Sequence, residues 1–375
     1  MKNHNQEKVS LYLKWILALV IGMLATAANA TCSYRAENPY GSGPADLVAT
    51  LNVSALTVGR DVPDGTVLYR QTVRTMTTLI NCRNDGAIAT VQHKYWLTGT
   101  PQPISSWNGD PFPGRIYQTG VPGIGVALWY SGNAFPYTRS ITNCGFIGGG
   151  CDINGADSNF EISLVKIGPV SPGLVQGANL PRMQYDLVTD NTLPIMRARF
   201  IGNIQIVAQT CTTPNVTVAL GSHKVSDFSG AGSGTPYRNF FIELRNCPAF
   251  HGVSASLINT HNGIGSVESS RTINANVIGI SLTPLNGVVP SQRGTIKLGS
   301  GRPGSLTATG IGVQLFRSLD GFLQFDTLLA SGISPSGSSG ASYTIPMQAR
   351  YVQTGTATPT PGPANASVIF TINYQ

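Results

Sequence analysis

The cysteines are the residues of this chain whose type and spacing bear most directly on chemistry: Cys32, Cys82, Cys144, Cys151, Cys211 and Cys247. Cysteine thiolates can bind zinc, act as nucleophiles or join as disulfides. No CxxC pair occurs, and no HxH or HExxH spacing is present among His93, His223, His251 and His261. A zinc site is therefore not expected.

One further pattern could suggest catalysis, but it lacks the context that it needs. The stretch Gly299–Gly304 fits GxGxxG, but no βαβ unit surrounds it and Pro303 opposes the helix start that phosphate binding requires. No G-x-S-x-G elbow is present, and the acidic residues show no glycosidase signature. We therefore predict that the protein is not an enzyme and needs no metal or cofactor.

Residues 1–30 are expected to form a secretory signal peptide. Lysines precede the apolar run Trp15–Thr26, and Ala28-Asn29-Ala30 is an A-x-A cleavage site. The apolar run is shorter than the ~20 residues of a membrane-spanning helix. The mature chain would begin at Thr31 and be exported, and in an exported chain an even number of cysteines favours disulfides. Pairing neighbours in chain order gives Cys32–Cys82, Cys144–Cys151 and Cys211–Cys247, although the sequence leaves other pairings open.

The elements that must position these residues are predicted to be short β-strands. Apolar residues alternate in Asn203–Val207, Asn215–Leu220 and Asn239–Leu244, whereas no long amphipathic helix is evident. The fold class expected is all-β, with two β-sandwich domains. Their boundary is placed near Ala208, which gives domains at 31–208 and 209–375. The formal net charge of +7 includes no basic run, so no nucleic-acid partner is expected.

The chain ends on the alternating segment SVIFTINYQ, in which Val368, Phe370, Ile372 and Tyr374 share one face. No polar tail shields this strand, although soluble proteins usually blunt exposed apolar edges. Three other motifs precede it in the same half of the chain: TCTTPNVTVALG from Thr210, FFIELRNC ending at Cys247, and MQARYVQTG from Met347.

These motifs, with Gly362 and the penultimate Tyr374, resemble the pilin domains of bacterial chaperone–usher fimbriae over nearly all of 209–375. The resemblance implies an incomplete immunoglobulin-like sandwich that a donor strand completes. A periplasmic chaperone would supply this strand first and an adjacent fimbrial subunit later, by β-augmentation. The groove residues it implies are Gly362, Val368, Phe370, Ile372 and Tyr374. It also implies that basic chaperone residues hold the Gln375 carboxylate.

The first half resembles the receptor-binding domains of two-domain fimbrial tip adhesins. Cys32 and Cys82 are placed like the disulfide of those domains, and the stretches TGVPGIGVALWY from Thr119 and GNIQIVAQTC from Gly202 are similar to segments of the group. Because Cys32 would follow the cleavage site by one residue, no extension is available to donate to a neighbour. We therefore expect the chain to pass through the periplasm and the outer-membrane usher to the fimbrium tip at the cell surface.

Receptor binding is expected in loops of the first half, where sugars would need aromatic faces and polar side chains. The candidate residues are Trp107, Asn108, Asp110, Arg115, Tyr130, Asn133, Tyr137, Asn143 and Asp152. A glycan receptor on a host or surface is the first hypothesis. The alternatives are a matrix protein such as collagen, or a non-adhesive tip subunit that caps the fibre or initiates its assembly.

Overall fold

The computed structural model describes residues 31–83, 90–141, 154–155, 159–262, 266–300 and 306–375. The predicted all-β fold is confirmed, since every long element among these residues is a strand. The strands of the first half are β1 Thr31–Tyr34, β2 Ala45–Thr50, β3 Ala55–Thr57, β4 Val67–Thr75, β5 Thr78–Arg83, β6 Val91–Gly99, β7 Tyr117–Gln118, β8 Ile124–Tyr130, β9 Asn133–Ala134, β10 Tyr137–Ile141, β11 Asn154–Gly155, β12 Asn159–Lys166, β13 Gly173–Gln176, β14 Arg182–Val188, β15 Thr192–Ile201 and β16 Asn203–Val207.

The second half continues with ten strands and few other regular elements among its described residues. They are β17 Arg238–Cys247, β18 Val253–Asn262, β19 Ser266–Asn274, β20 Ile278–Pro284, β21 Thr295–Ile296, β22 Ile311–Arg317, β23 Gly321–Phe322, β24 Leu329–Ala330, β25 Ala341–Gln353 and β26 Val368–Tyr374. Two short 3₁₀ turns occur, at Gly177–Asn179 in the first half and Val225–Asp227 in the second. In the described part of the chain no helix is long and apolar enough to cross a membrane.

The first half is a sandwich of two main sheets. One sheet has the order β10-β6-β14-β15-β2, and the strands β4-β12-β8-β7 form the other face. Phe160 on β12 meets Phe200 on β15 across the interior, with ring centroids 6.1 Å apart. Cys32 and Cys82 are joined as a disulfide where β1 pairs with β5. The alternation of buried and exposed residues along β2 and β15 reflects this two-layer packing.

The second half has its own core between two smaller sheets, β17-β25-β22-β21 and β24-β20-β26. Ile242, Leu315 and Ile345 from one sheet and Ile280 and Ile372 from the other are buried there. The Cys211–Cys247 disulfide ties the start of this half to the end of β17. The pair Cys144–Cys151 lies outside the described residues.

One hairpin departs from the simple picture of two separate sandwiches. β18 pairs in parallel with β4, so that β19 and β18 extend a seven-stranded sheet of the first half. The register matches Leu257 with Gln71 and His261 with Thr75. This pairing fills the edge of β4 that β12 leaves open, and a covered edge carries no unpaired backbone groups.

A second departure concerns the alternating segment Asn215–Leu220, which was expected to be a strand. Residues 215–220 form no ladder with any described part of the chain, although Val216, Val218 and Leu220 are the more buried residues of the segment. The sequence pattern reports correctly which side chains face inwards. It cannot report whether a neighbouring strand is present.

Candidate functional sites

The second half contains an open groove between two unpaired edges. β26 is the last strand of its sheet, and residues 215–220 pair with no described strand. A cavity of about 530 Å³ lies between them and is lined by both. Unpaired strand edges expose N–H and C=O groups that can bind a further strand. The groove therefore has the form of a sandwich with a place for one more strand.

Most of the residues that line the groove are apolar, and they come from both sheets. Phe240 and Ile242 on β17, Val313 and Leu315 on β22 and Leu282 on β20 form its floor. Its rims are Val216, Val218 and Leu220 on one side and Val368 and Phe370 on the other. An incoming strand with alternating apolar side chains could bury them here, which is the requirement of β-augmentation.

The five residues expected in this groove occupy three different environments. Val368 and Phe370 line the cavity, whereas Ile372 and Tyr374, farther along the same face of β26, are buried in the core. Gly362 lies outside the cavity, where a Cβ atom would come within 2.4 Å of the Leu306 carbonyl oxygen. Gly362 thus allows a close approach between two loops.

Tyr374 anchors the end of β26. Its hydroxyl oxygen accepts a hydrogen bond of 3.2 Å from the Cys211 amide, and its ring stacks on Phe250 with centroids 6.4 Å apart. Burial raises the pKa of this hydroxyl, while the Cys211 amide and the charge of Arg60 act against the shift. The backbone oxygen of Gln375 accepts a hydrogen bond of 2.7 Å from the Val277 amide.

The first half contacts the same end of β26. The Tyr374 amide donates to Oδ2 of Asp61 at 3.1 Å, and Nη2 of Arg60 donates to the Ile372 carbonyl oxygen at 3.3 Å. Nearby, the Thr57 hydroxyl donates to the Ala249 carbonyl oxygen at 2.8 Å. The two halves of the chain therefore meet at the end of the groove.

A second candidate site is a pocket formed by two loops of the first half. β8 is buried along nearly its whole length because both of its faces are covered. One face packs in the main core, and residues of loop 105–116 cover the other, where Trp107 and Phe112 pack on Ile116, Ala127 and Val165. The continuous apolar run of β8 follows from this two-sided burial.

The pocket has a volume of about 500 Å³. It is lined by Asp110, Pro111, Phe112, Pro113 and Arg115 from loop 105–116 and by Gly132, Asn133, Ala134, Pro136 and Tyr137 from the β8–β10 connection. A carboxylate, a guanidinium, an amide, a phenol and a phenyl ring thus surround one space. This set can donate and accept hydrogen bonds around a ring or chain that carries several polar groups.

Four of the residues predicted to bind a receptor meet in this pocket, namely Asp110, Arg115, Asn133 and Tyr137. Trp107 and Asn108 do not line it: the Trp107 indole N–H donates to the Pro111 carbonyl oxygen at 3.2 Å and so braces the loop. Tyr130 stacks on Tyr95, with centroids 4.9 Å apart. Asn143 and Asp152 lie outside the described residues.

Sequence reasoning missed Phe112, which is central to the pocket. Its ring lies 5.5 Å from that of Trp129, which is only 9% exposed and is also covered by the guanidinium of Arg70. Phe112 has a φ of 62°, a left-handed conformation that is uncommon for a bulky residue. The run Pro111-Phe112-Pro113 was a possible signal, since prolines mark irregular backbone. Among the described residues no group of three His, Cys, Asp or Glu side chains could hold a metal ion.

A family model matches the half of the chain that contains the groove. Residues 199–375 match the family model described as fimbrial protein. The chain is 42% identical to the S-fimbrial adhesin protein SfaS of Escherichia coli strain 536 over 59 residues, which are 16% of this chain and 36% of SfaS. It thus spans about a third of the length of that relative. It is 29% identical to the fimbrial subunit type 1 of Klebsiella pneumoniae over 159 residues, 42% of this chain and 71% of that subunit.

Among solved structures, the CupB6 tip adhesin of Pseudomonas aeruginosa has a similar fold. The superposed region includes 92% of this chain and 94% of the CupB6 chain. The sequence identity is 15% and the TM-score 0.34. The match of residues 199–375 begins within β15, before the boundary expected near Ala208. Residues 199–375 are therefore similar to fimbrial proteins, in agreement with the pilin domain that the sequence resembles over 209–375.

Proposed function

We propose that this protein is a fimbrial tip adhesin whose first domain, 31–208, binds a receptor and whose second domain, 209–375, accepts a strand from the adjacent subunit. The observation that carries the proposal is the groove between residues 215–220 and β26. Among the described residues, neither edge has a strand paired with it on the side that faces the cavity. A donated strand would supply the missing backbone hydrogen bonds and place alternate apolar side chains in the groove.

The tip position is supported by the way the chain begins after the expected cleavage site. Thr31 is the first residue of β1 and pairs with Arg83 of β5, and Cys32 is joined to Cys82. A chain cleaved after Ala30 would therefore have no free residues ahead of its first strand to donate. Mass spectrometry of the exported protein tests this directly: a mature N-terminus at Thr31 supports a cap, whereas a start far upstream would contradict it.

The receptor is proposed to bind in the pocket of Asp110, Phe112, Arg115, Asn133 and Tyr137. The mixture of charged, amide and aromatic groups favours a glycan, because sugar rings stack on aromatic faces while their hydroxyls bind planar polar groups. Both loops lie at the surface, with Asp110, Arg115 and Asn133 exposed. Loops on a rigid scaffold are common sites of recognition.

The mature chain applied to a glycan array and to immobilised collagen separates the possible roles. Retention on particular glycans, with displacement by the free sugar, is the expected result. Retention on collagen without binding to any glycan on the array would indicate that the receptor is a matrix protein and not a glycan. If neither surface retains the chain while its deletion lowers the number of fibres, the protein is a structural or initiating tip subunit.

Strand acceptance is tested separately, by co-purification with the periplasmic fimbrial chaperone. Deletion of Phe370–Gln375 removes part of one rim of the groove and most of β26. We therefore expect the shortened chain not to co-purify with the chaperone. Undiminished chaperone binding by the shortened chain would contradict the proposal. Full binding by the intact chain and none by the shortened one is the expected pattern.

A further inference from the structure

The free edge of β26 is made by every second residue of the strand. Val277 and Gln375 exchange two hydrogen bonds, of 2.7 and 2.9 Å, and so form a hydrogen-bonded pair one residue beyond the ladder of β20 and β26. In an antiparallel ladder such pairs alternate with pairs whose backbone groups face away. The N–H and C=O groups of Val368, Phe370, Ile372 and Tyr374 therefore point away from β20, towards the groove edge.

At two of these residues the edge is already occupied by side chains from the first half. Arg60 donates to the Ile372 carbonyl oxygen, and Asp61 accepts from the Tyr374 amide. In a parallel ladder one residue of the neighbouring strand donates to the residue before its opposite and accepts from the residue after it. Arg60 and Asp61 together make this pair of contacts opposite Asn373, as one residue of a parallel strand would.

Three further contacts hold Arg60 and Asp61 in place. Nε of Arg60 lies 3.1 Å from Oδ1 of Asp61, so the two side chains also bind each other. A Cβ atom on Gly59 would lie only 2.0 Å from the Tyr374 carbonyl oxygen, which shows how closely this segment approaches β26. The Thr57 hydroxyl accepts from the His251 amide at 2.9 Å and fixes the preceding strand on the second half.

We infer that Arg60 and Asp61 close the end of the groove, so that the donated strand pairs with β26 at Val368 and Phe370 and stops before the Ile372 carbonyl. This inference rests on the proposed strand acceptance and adds a limit to it. The partner is a β-strand of another polypeptide with alternating apolar side chains. The first domain limits how many residues of this strand can pair with β26. Ile372 and Tyr374, although on the same face, are then closed off from the donated strand.

Binding of synthetic peptides to the mature chain tests the limit. A series of labelled peptides of alternating valine and threonine, lysine-flanked and of increasing length, is titrated by fluorescence anisotropy. For the unchanged protein we expect the affinity to rise with length and then to level off. In the double variant Arg60→Ala/Asp61→Ala, the first peptide longer than this limit should bind with about tenfold higher affinity than it does to the unchanged protein. Two more backbone hydrogen bonds can then form with β26.

One further variant serves as a control, and another tests the same contact independently. Arg35→Ala/Glu37→Ala removes another ion pair of the first half, one with a separation of 3.8 Å, and should keep the original limit. Gly59→Ala should behave like the double variant, since its methyl group would push the segment away from Tyr374. Hydrogen exchange of the Tyr374 amide should be faster in both of the disrupting variants and unchanged in the control.

The outcomes distinguish this inference from the proposal beneath it. If no peptide of any length binds, strand acceptance itself fails. If peptides bind but the double variant levels off at the same length as the unchanged protein, Arg60 and Asp61 do not set the limit and the inference is overturned. An unchanged exchange rate of the Tyr374 amide in the double variant would also overturn it.

Discussion

The amide of Tyr374 binds the carboxylate of Asp61 at 3.1 Å, across 313 positions of the chain. This contact joins the last strand of the fimbrial domain to a turn of the domain proposed to bind the receptor. Together with the bond from Arg60 to Ile372, it makes the first domain part of the groove that would accept the neighbouring subunit. The two activities proposed for the chain are therefore physically connected at one end of β26.

Substitution of Phe370 by serine should weaken strand binding, because its ring lines the groove. Loss of a buried phenyl ring costs about 2 kcal/mol, which corresponds to a roughly thirtyfold lower affinity for a strand peptide. Ile369→Ser is the matched control, since Ile369 is 52% exposed on the opposite face of the same strand. Equal losses in the two variants would show that β26 does not bind its partner through the predicted face.

Substitution of Arg115 by alanine should reduce receptor retention without unfolding the chain, because Arg115 is exposed and lines the loop pocket. A charge-assisted hydrogen bond to a ligand contributes about 1.5–3 kcal/mol, so at least a tenfold loss is expected on the array. Arg199→Ala, on an exposed position of β15, should retain full binding. Full receptor binding by Arg115→Ala, with thermal unfolding unchanged, would show that the receptor does not bind in this pocket.

The stability of the second domain should fall at alkaline pH because burial raises the pKa of Tyr374. The folded state then prefers the neutral hydroxyl more strongly than the unfolded chain does. This contribution is complete below about pH 10, the ordinary tyrosine value, and is lost as the pH rises through the folded-state value. Urea unfolding of Tyr374→Phe should show a shallower alkaline decline than the unchanged protein. Parallel declines would assign the effect to other tyrosines.

Removal of the Cys211–Cys247 disulfide should destabilise the groove. With a sequence separation of 36 residues, the chain-entropy model gives a loss of about 4 kcal/mol. Cys211→Ala/Cys247→Ala should therefore unfold at lower urea concentration and bind strand peptides poorly. Cys32→Ala/Cys82→Ala removes a bond of comparable span, 50 residues, in the other domain. It should lose stability while retaining peptide binding, and a loss of binding there would argue against a local effect.

The strands were predictable wherever alternation directly reports burial. The segment Asn203–Val207 coincides with β16, and SVIFTINYQ contains β26. The same rule failed to predict pairing: residues 215–220 alternate like a strand, yet no strand that the structure describes pairs with them. A pattern of side chains describes the faces of a segment, whereas its edges depend on what the rest of the chain supplies.

The candidate sites were predictable in part for the same reason. Asp110, Arg115, Asn133 and Tyr137 could be selected by chemical type, and turns brought them together. Arg60 and Asp61 could not be selected, because their partners at Ile372 and Tyr374 are backbone groups more than 300 positions away. A backbone group has no residue type by which the sequence could mark it.

The Cys211–Cys247 bond has a mechanical consequence for a protein that is proposed to lie at the end of a fibre. A strand seated in the groove would pull on residues 215–220, and the described structure gives these residues no ladder to resist the pull. Four residues earlier, Cys211 connects them covalently to the end of β17, whose ladder with β25 runs along the sandwich. On this rim of the groove, tension from the shaft would thus pass into the sheet through a sulfur–sulfur bond rather than through ladder hydrogen bonds that open one at a time.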